Sequence, residues 1–98
     1  MEDSVESRAV AAGSEFDVEL EAKPTAGFQW QAELDGPAAE VLEAVSQDWD
    51  VGPAIGGSAT QRFRFRAKSA GNVRVTFKYG RSGDPEPRRR HDVQVSVH

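Results

Sequence analysis

The sequence predicts an all-β chain, and three observations carry that expectation. Apolar and polar residues alternate with a period of two along most of the chain, helical periodicity is nearly absent, and Gly- or Pro-containing turn signals recur every roughly eight to twelve residues. Short strands at that spacing point to an immunoglobulin-like sandwich of about seven antiparallel strands in two sheets, with a small barrel as the second architecture. The 98 residues suffice for a single domain, 1–98, with one modest core.

The elements follow in chain order. A weak pattern from Val5 to Val10 gives β1 (5–10), closed by the turn AAGS at 11–14. In β2 (15–22), Phe16, Val18, Leu20 and Ala22 face one way while Glu15, Asp17, Glu19 and Glu21 face the other. KPTAG at 23–27 turns into β3 (28–34), which places Phe28, Trp30, Ala32 and Leu34 on one side. A tryptophan on the third strand of such a sandwich belongs at its centre, and Phe28 is expected in the core or as support for the loop before it. DGPA at 35–38 is a turn. EVLEAVSQDW alternates imperfectly, so β4 (41–49) reads as a strand or a short helix. Beyond GPAIGGSA at 52–59, Phe63, Phe65 and Ala67 define β5 (63–67). KSAGN at 68–72 leads into β6 (73–79), with Val73, Val75, Phe77 and Tyr79 in a row, and GRSGDPEPRRR at 80–90 leads into β7 (93–97), with Val93, Val95 and Val97.

Strands that alternate in direction send their connections alternately to the two ends of a sandwich. The β1–β2, β3–β4 and β5–β6 turns then share one end and are short. The β2–β3, β4–β5 and β6–β7 loops share the other end, and these are the longer, Gly/Pro-rich ones. Loops longer than strand pairing requires usually carry function, so that end is the expected binding surface.

Charge is divided along the chain. Residues 1–50 hold 2 basic and 13 acidic side chains, residues 51–98 hold 10 basic and 3 acidic, and the net charge is −4. The second and fifth strands of an immunoglobulin-like sheet are antiparallel neighbours, so the outward acids of β2 are expected opposite Arg62, Arg64 and Arg66 of β5. Arg74 and Lys78 are expected to face Glu33 and Asp92 in the same way. Arg88, Arg89 and Arg90 remain over and read as a solvated loop segment without interleaved aromatics, so no nucleic-acid partner is expected.

No enzyme chemistry is legible. Cysteine is absent, which excludes disulfides and thiolate chemistry, and His91 and His98 read as surface residues outside any catalytic or metal-ligand spacing. Asp48 and Asp50 are expected to solvate or shape the turn after β4. GPAIGG precedes a strand, so it offers no helix N-terminus to a phosphate. The expectation is a non-enzyme with no catalytic residues, no metal and no cofactor. No segment approaches the roughly 18 apolar residues of a membrane helix, so no membrane partner is expected. MEDSVESRAV lacks the basic and apolar regions of a signal peptide, which leaves the compartment open between the cytoplasm and a trimmed, exported protein.

KPTAGFQW, GPAIGG, FRFRA, AGNVRVTFKYGR and DVQVSV occur in that order between residues 14 and 97. This combination resembles the chagasin-like inhibitors of papain-like cysteine peptidases. In that family the first loop reads Asn-Pro-Thr-Thr-Gly-Phe, then one residue and Trp. Pro24, Thr25, Gly27, Phe28 and Trp30 match it, with Lys23 and Ala26 at the two changed positions. Gly56 and Gly57 approximate the family's Gly-x-Gly-Gly. Tyr79, Gly80 and Arg81 fit the start of its third motif, whose Pro-Trp is replaced by Ser82 and Gly83. The resemblance implies a monomeric, reversible inhibitor whose three loops enter a peptidase cleft. Its contacts would come from Lys23, Pro24, Thr25, Ala26, Gly27 and Phe28, then Ile55, Gly56 and Gly57, then Arg81. Arg81 and the arginine triplet would add contacts to an acidic rim. The alternative is a binding module of the same fold, without inhibitory activity, whose loops suit another protein or peptide.

Overall fold

Each alternating segment folds as a strand. The computed structural model describes residues 2–23, 27–34, 36–50, 59–81, 83 and 86–98, with backbone alone for 2 and 3. Its elements are β1 (Glu2–Val10), β2 (Glu15–Ala22), β3 (Phe28–Glu33), a short helix α1 (Pro37–Val41), β4 (Leu42–Asp50), β5 (Ala59–Ala67), β6 (Gly71–Arg81) and β7 (Arg89–Val97). They form two sheets, β1-β7-β6-β3 and β2-β5-β4. Every pairing is antiparallel except β1 with β7, which is parallel. Strands that alternate in direction make that exception necessary, because β1 and β7 are both odd-numbered.

The core is the meeting of the inward rows. Val18, Phe63, Phe65, Val75, Phe77, Val93 and Val95 are all buried. Phe77 of one sheet packs on Phe63 and Phe65 of the other, with ring centroids 5.0 and 6.1 Å apart.

One polar residue belongs to this core. Gln61 lies in the inward row of β5 with Ala59, Phe63 and Phe65, and it is fully buried. Its amide crosses between the sheets: Trp30 N–H donates to Gln61 Oε1 (2.8 Å), and Gln61 Nε2 donates to the Trp30 carbonyl (2.9 Å). The edge strand β3 therefore has its outward backbone groups at Trp30 satisfied by a side chain standing in for a neighbouring strand. The Trp30 indole adds a second tie, donating from Nε1 to the Glu21 carbonyl of β2 at 2.9 Å.

The charged faces pair as the halves of the sequence suggest. Glu15, Asp17 and Glu19 register with Arg66, Arg64 and Arg62. Arg64 meets Asp17 at 2.9 Å and Arg62 meets Glu19 at 3.5 Å. Asp48 and Asp50 have a role the sequence reading did not assign: they approach the same Arg62 from β4, at 3.2 and 3.7 Å. Lys78 pairs with Glu33 at 3.0 Å as expected. Arg74 does not meet Asp92; it faces Gln94, and Asp92 is held by Arg90 at 3.2 Å.

One local reading needs correction, and of the two alternatives for β4 the strand is the one found. The helix is α1, over part of the expected DGPA turn and ahead of β4, which is a strand throughout. The imperfect alternation of β4 has a cause in its register, which jumps between Ala44 and Ser46. Leu42 and Ala44 stand opposite Ala67 and Phe65, while Gln47 and Trp49 stand opposite Phe63 and Gln61. The extra residue, Val45, thus moves the inward row from even to odd positions, as a β-bulge must.

His91 is buried, not a surface residue. It has the parity of Val93, Val95 and Val97, and it registers with Ser4 on β1 and Phe77 on β6. Ser4 Oγ lies 2.6 Å from Nδ1, and Glu6 Oε1 accepts from Nε2 at 2.8 Å. Burial works to raise the Glu6 pKa, but hydrogen bonds from His91 and Arg8 outweigh it and hold the carboxyl below its ordinary range. Arg8 Nη1 also donates to the Asp17 carbonyl at 2.9 Å, so β1 is tied to β2 as well as to β7.

Two outcomes follow for stability. Gln61→Leu keeps the volume but leaves the Trp30 N–H and C=O buried without partners, and unfolding in urea should show a loss of about 2–4 kcal/mol; a loss under about 1 kcal/mol would remove the proposed tie between the sheets. The Arg64 hydrogen bond holds the Asp17 carboxyl below its usual range. A depressed carboxylate stabilises the fold at neutral pH and loses that contribution as pH falls below about 4 through the lowered value. The urea midpoint of Asp17→Asn should accordingly lie below that of the parent at pH 7, and the gap should close towards pH 2.

Candidate functional site

Three pairs of strand ends meet at one end of the sandwich. Ala22 registers with Ala59, Thr60 with Asp50, and Phe28 with Arg81. The connections β2–β3, β4–β5 and β6–β7 are thus anchored side by side. The opposite end gathers the 11–14 turn, α1 and the 68–70 turn, where Gly13 N–H bonds to the Ala67 carbonyl and Lys68 N–H to the Val41 carbonyl (2.8 and 2.7 Å).

The first loop has a closed neck. Phe28 N–H donates to the Lys23 carbonyl at 3.2 Å, and Lys23 N–H donates to the Tyr79 hydroxyl at 3.1 Å. Gly27, inside that neck, has φ +83°, and a Cβ there would come no closer than 3.9 Å to Arg81 Cγ. Glycine is needed at that position for its left-handed backbone and not for space. The third loop has a neck too: Arg88 N–H donates to the Tyr79 carbonyl at 2.7 Å.

Tyr79 is the centre of this end. Trp30 packs on it at 4.9 Å and Phe28 stacks on it at 5.5 Å with planes 20° apart. Trp30 is buried at 3% exposure, whereas Phe28 is half-buried and forms the upper layer of the stack. Guanidinium groups cover that layer. Arg81 and Arg88 stand over the Phe28 ring at 4.6 and 5.2 Å, and Arg89 stands over Trp30 and Tyr79 at 5.6 and 5.8 Å.

The arginine triplet is therefore not simply a solvated loop. Arg89 and Arg90 begin β7, and the aromatics missing from their own segment come from β3 and β6. The faces of Trp30 and Tyr79 are buried, so they offer no platform on which a base could stack. The signal for Arg89 was present in the sequence, since it continues the odd-numbered inward row of His91 and Val93. Gln61 shared the parity of Phe63 and was equally findable.

Of the residues expected at the site, Lys23, Gly27, Phe28 and Arg81 are brought together at this end. Pro24, Thr25 and Ala26, and Ile55, Gly56 and Gly57, lie outside the described residues. Among the described residues no group of three or more His, Asp or Glu is placed to hold a metal ion. A cleft of about 250 Å³, lined by Ala32, Ala44, Val45, Ser46, Gln47, Phe63 and Phe65, opens on the side between β3 and β4, apart from the loop necks.

Known folds resemble this one along its whole length. The cysteine protease inhibitor EhICP2 from Entamoeba histolytica superposes with a TM-score of 0.78 at 14% identity, over 98% of this chain and 97% of that one. PbICP-C, in a structure with falcipain-2, gives 0.74 at 15% identity over 98% and 89% of the two chains. Amebosin gives 0.71 at 16% identity over 100% and 99%. Likeness at such low identity establishes the sandwich fold. No curated protein matches the chain by sequence. A family profile does: that of Chagasin family peptidase inhibitor I42 matches residues 9–97, nearly the whole chain, and the protein belongs to that family.

Proposed function

We propose that this chain is a reversible inhibitor of papain-like cysteine peptidases, occluding the active-site cleft with its β2–β3, β4–β5 and β6–β7 loops. The observation that carries the reading is that the necks of the first and third loops meet on one aromatic stack, with the strand ends of the second loop at the same end, in a chain of an inhibitor family. Inhibition of this kind needs no chemistry from the inhibitor, only a shape that fills the cleft and stays there.

A proline and a closed neck are what the first loop brings to that task. Proline at 24 fixes its own φ and biases Lys23 towards extended backbone, while the Lys23–Phe28 hydrogen bond closes the neck. A loop ordered before binding loses little conformational entropy when it docks. Thr25, small and carrying one hydroxyl, is the residue assigned to approach the catalytic cysteine. Lys23, Ala26, Gly27 and Phe28 flank it, with Ile55, Gly56 and Gly57 and then Arg81 as the second and third contact groups.

A second reading is favoured by one observation. Ser82 and Gly83 stand where the resembled motif has Pro-Trp, and an interface tryptophan is commonly worth about 2 kcal/mol or more, roughly 30-fold in affinity. On that reading the same end binds another protein or peptide without inhibiting a peptidase.

Titration of a papain-like enzyme separates the two. The inhibitor reading expects stoichiometric loss of activity that returns on dilution, and Thr25→Arg, with an unchanged circular dichroism spectrum, should abolish it. Full activity of several such peptidases in high micromolar protein would overturn the reading and leave the non-inhibitory module.

A further inference from the structure

At the β1 edge of the sandwich, one imidazole carries a hydroxyl on one nitrogen and a carboxylate on the other, and occlusion of a cleft by the loops makes no use of it. His91 is buried, Glu6 is half-buried and Ser4 is exposed. β1 is the outer strand of its sheet, and its parallel pairing with β7 sets Ser4 in register with His91 and Glu6 with Val93. Residues two apart on a strand share a face and stand about 6.6 Å from one another. Hydroxyl and carboxylate therefore come to the two ring nitrogens of His91, Ser4 Oγ 2.6 Å from Nδ1 and Glu6 Oε1 2.8 Å from Nε2.

The carboxylate decides where the protons sit. Burial pushes the Glu6 carboxyl up, but hydrogen bonds from His91 and Arg8 hold it below its ordinary range, so at neutral pH it is ionised and only accepts. Nε2 of His91 therefore carries a proton. In the neutral ring Nδ1 is then the lone-pair nitrogen, and the Ser4 hydroxyl donates to it. Arg8 Nε, bonded to the other carboxylate oxygen at 2.8 Å, fixes Glu6 in turn. Hydroxyl, base and orienting carboxylate are thus linked in one line, the arrangement that activates a serine nucleophile. Relative to the serine peptidases, the two ring nitrogens have exchanged places.

We propose that Ser4 is a nucleophilic acylation site that takes an acyl group from an activated carboxylic ester. Ser4 Oγ attacks the ester carbonyl carbon as its proton passes to His91 Nδ1. The bond from that carbon to the leaving oxygen breaks, and the leaving alcohol or phenol departs with the proton from Nδ1. The products are the Ser4 acyl ester and the free alcohol or phenol, one of each per chain. Glu6 is a positioning residue, which holds the tautomer and stabilises the imidazolium that forms. The proposal does not depend on the inhibitor reading.

Treatment of the full chain with para-nitrophenyl acetate tests it, with nitrophenolate release followed by absorbance and the acetyl group located by tandem mass spectrometry. Ser7, exposed on the same strand and in register with Gln94, is the internal control. Ser4 should be acetylated about 100-fold faster than Ser7 or more. Ser4→Ala should lose the stoichiometric burst of nitrophenolate. Glu6→Gln, with an unchanged circular dichroism spectrum, should slow acetylation of Ser4 by about tenfold or more; a carboxylate that only fastened β1 to β7 would leave that rate unchanged. Nitrogen chemical shifts of the His91 ring should place the proton of the neutral form on Nε2 in the parent. Acetylation of Ser4 no faster than of Ser7, a burst that persists in Ser4→Ala, an unchanged rate in folded Glu6→Gln, or a neutral ring protonated on Nδ1 would each overturn the proposal.

Discussion

The amide of Gln61 is the constraint on which the rest of the molecule depends. Two sheets packed through apolar side chains alone have no directional contact to fix their alignment, because hydrophobic attraction is non-directional. A fully buried amide that must satisfy both its own donor and acceptor and those of Trp30 removes that freedom, since any slip would strand four polar groups in the core. The indole of Trp30 reaches the carbonyl of Glu21 on β2, so β2, β3 and β5 are joined at one level. That level lies directly beneath the loop necks. Tyr79 packs on Trp30, Phe28 packs on Tyr79, and Lys23 N–H is bonded to the Tyr79 hydroxyl, so both ends of the first loop are held on the stack.

Charge is distributed to match. The β2-β5-β4 sheet uses its outer face internally: β5 supplies arginines, the two edge strands supply acids, and Arg62 alone meets Glu19, Asp48 and Asp50. Acidic edge strands also discourage edge-to-edge association between copies. The large imbalance between the halves of the sequence is thereby mostly absorbed within the fold. At the end where the loops are anchored, arginines lie over Phe28, Trp30 and Tyr79.

Much of this was legible from alternation. β2, β5, β6 and β7 announce themselves because one face of each is a nearly unbroken apolar row, and the end shared by the long loops follows from strand parity alone. β4 was ambiguous because a bulge at Val45 breaks the period that identifies a strand. Gln61 and His91 do not show in an apolar row, because a buried polar residue with a complete set of partners occupies the inward row as well as an apolar one does. The sequence around Arg88 and Arg89 looks like loop because their aromatic partners are distant in the chain and adjacent only after β3, β6 and β7 pair. Chain order can place loops at an end; it cannot show which side chains from separate strands will stack there.

An interaction footprint is the most direct test of the proposal that the molecule works through this one end. Backbone amide shifts of the isotope-labelled chain would be recorded with a papain-like peptidase inactivated by replacing its catalytic cysteine with alanine. The account predicts perturbation of Lys23, Gly27, Phe28, Arg81, Arg88 and Arg89, with Gly13, Ser14, Lys68 and Gly71 unmoved. Perturbation centred on the opposite end or along β4, or none at all, would contradict it.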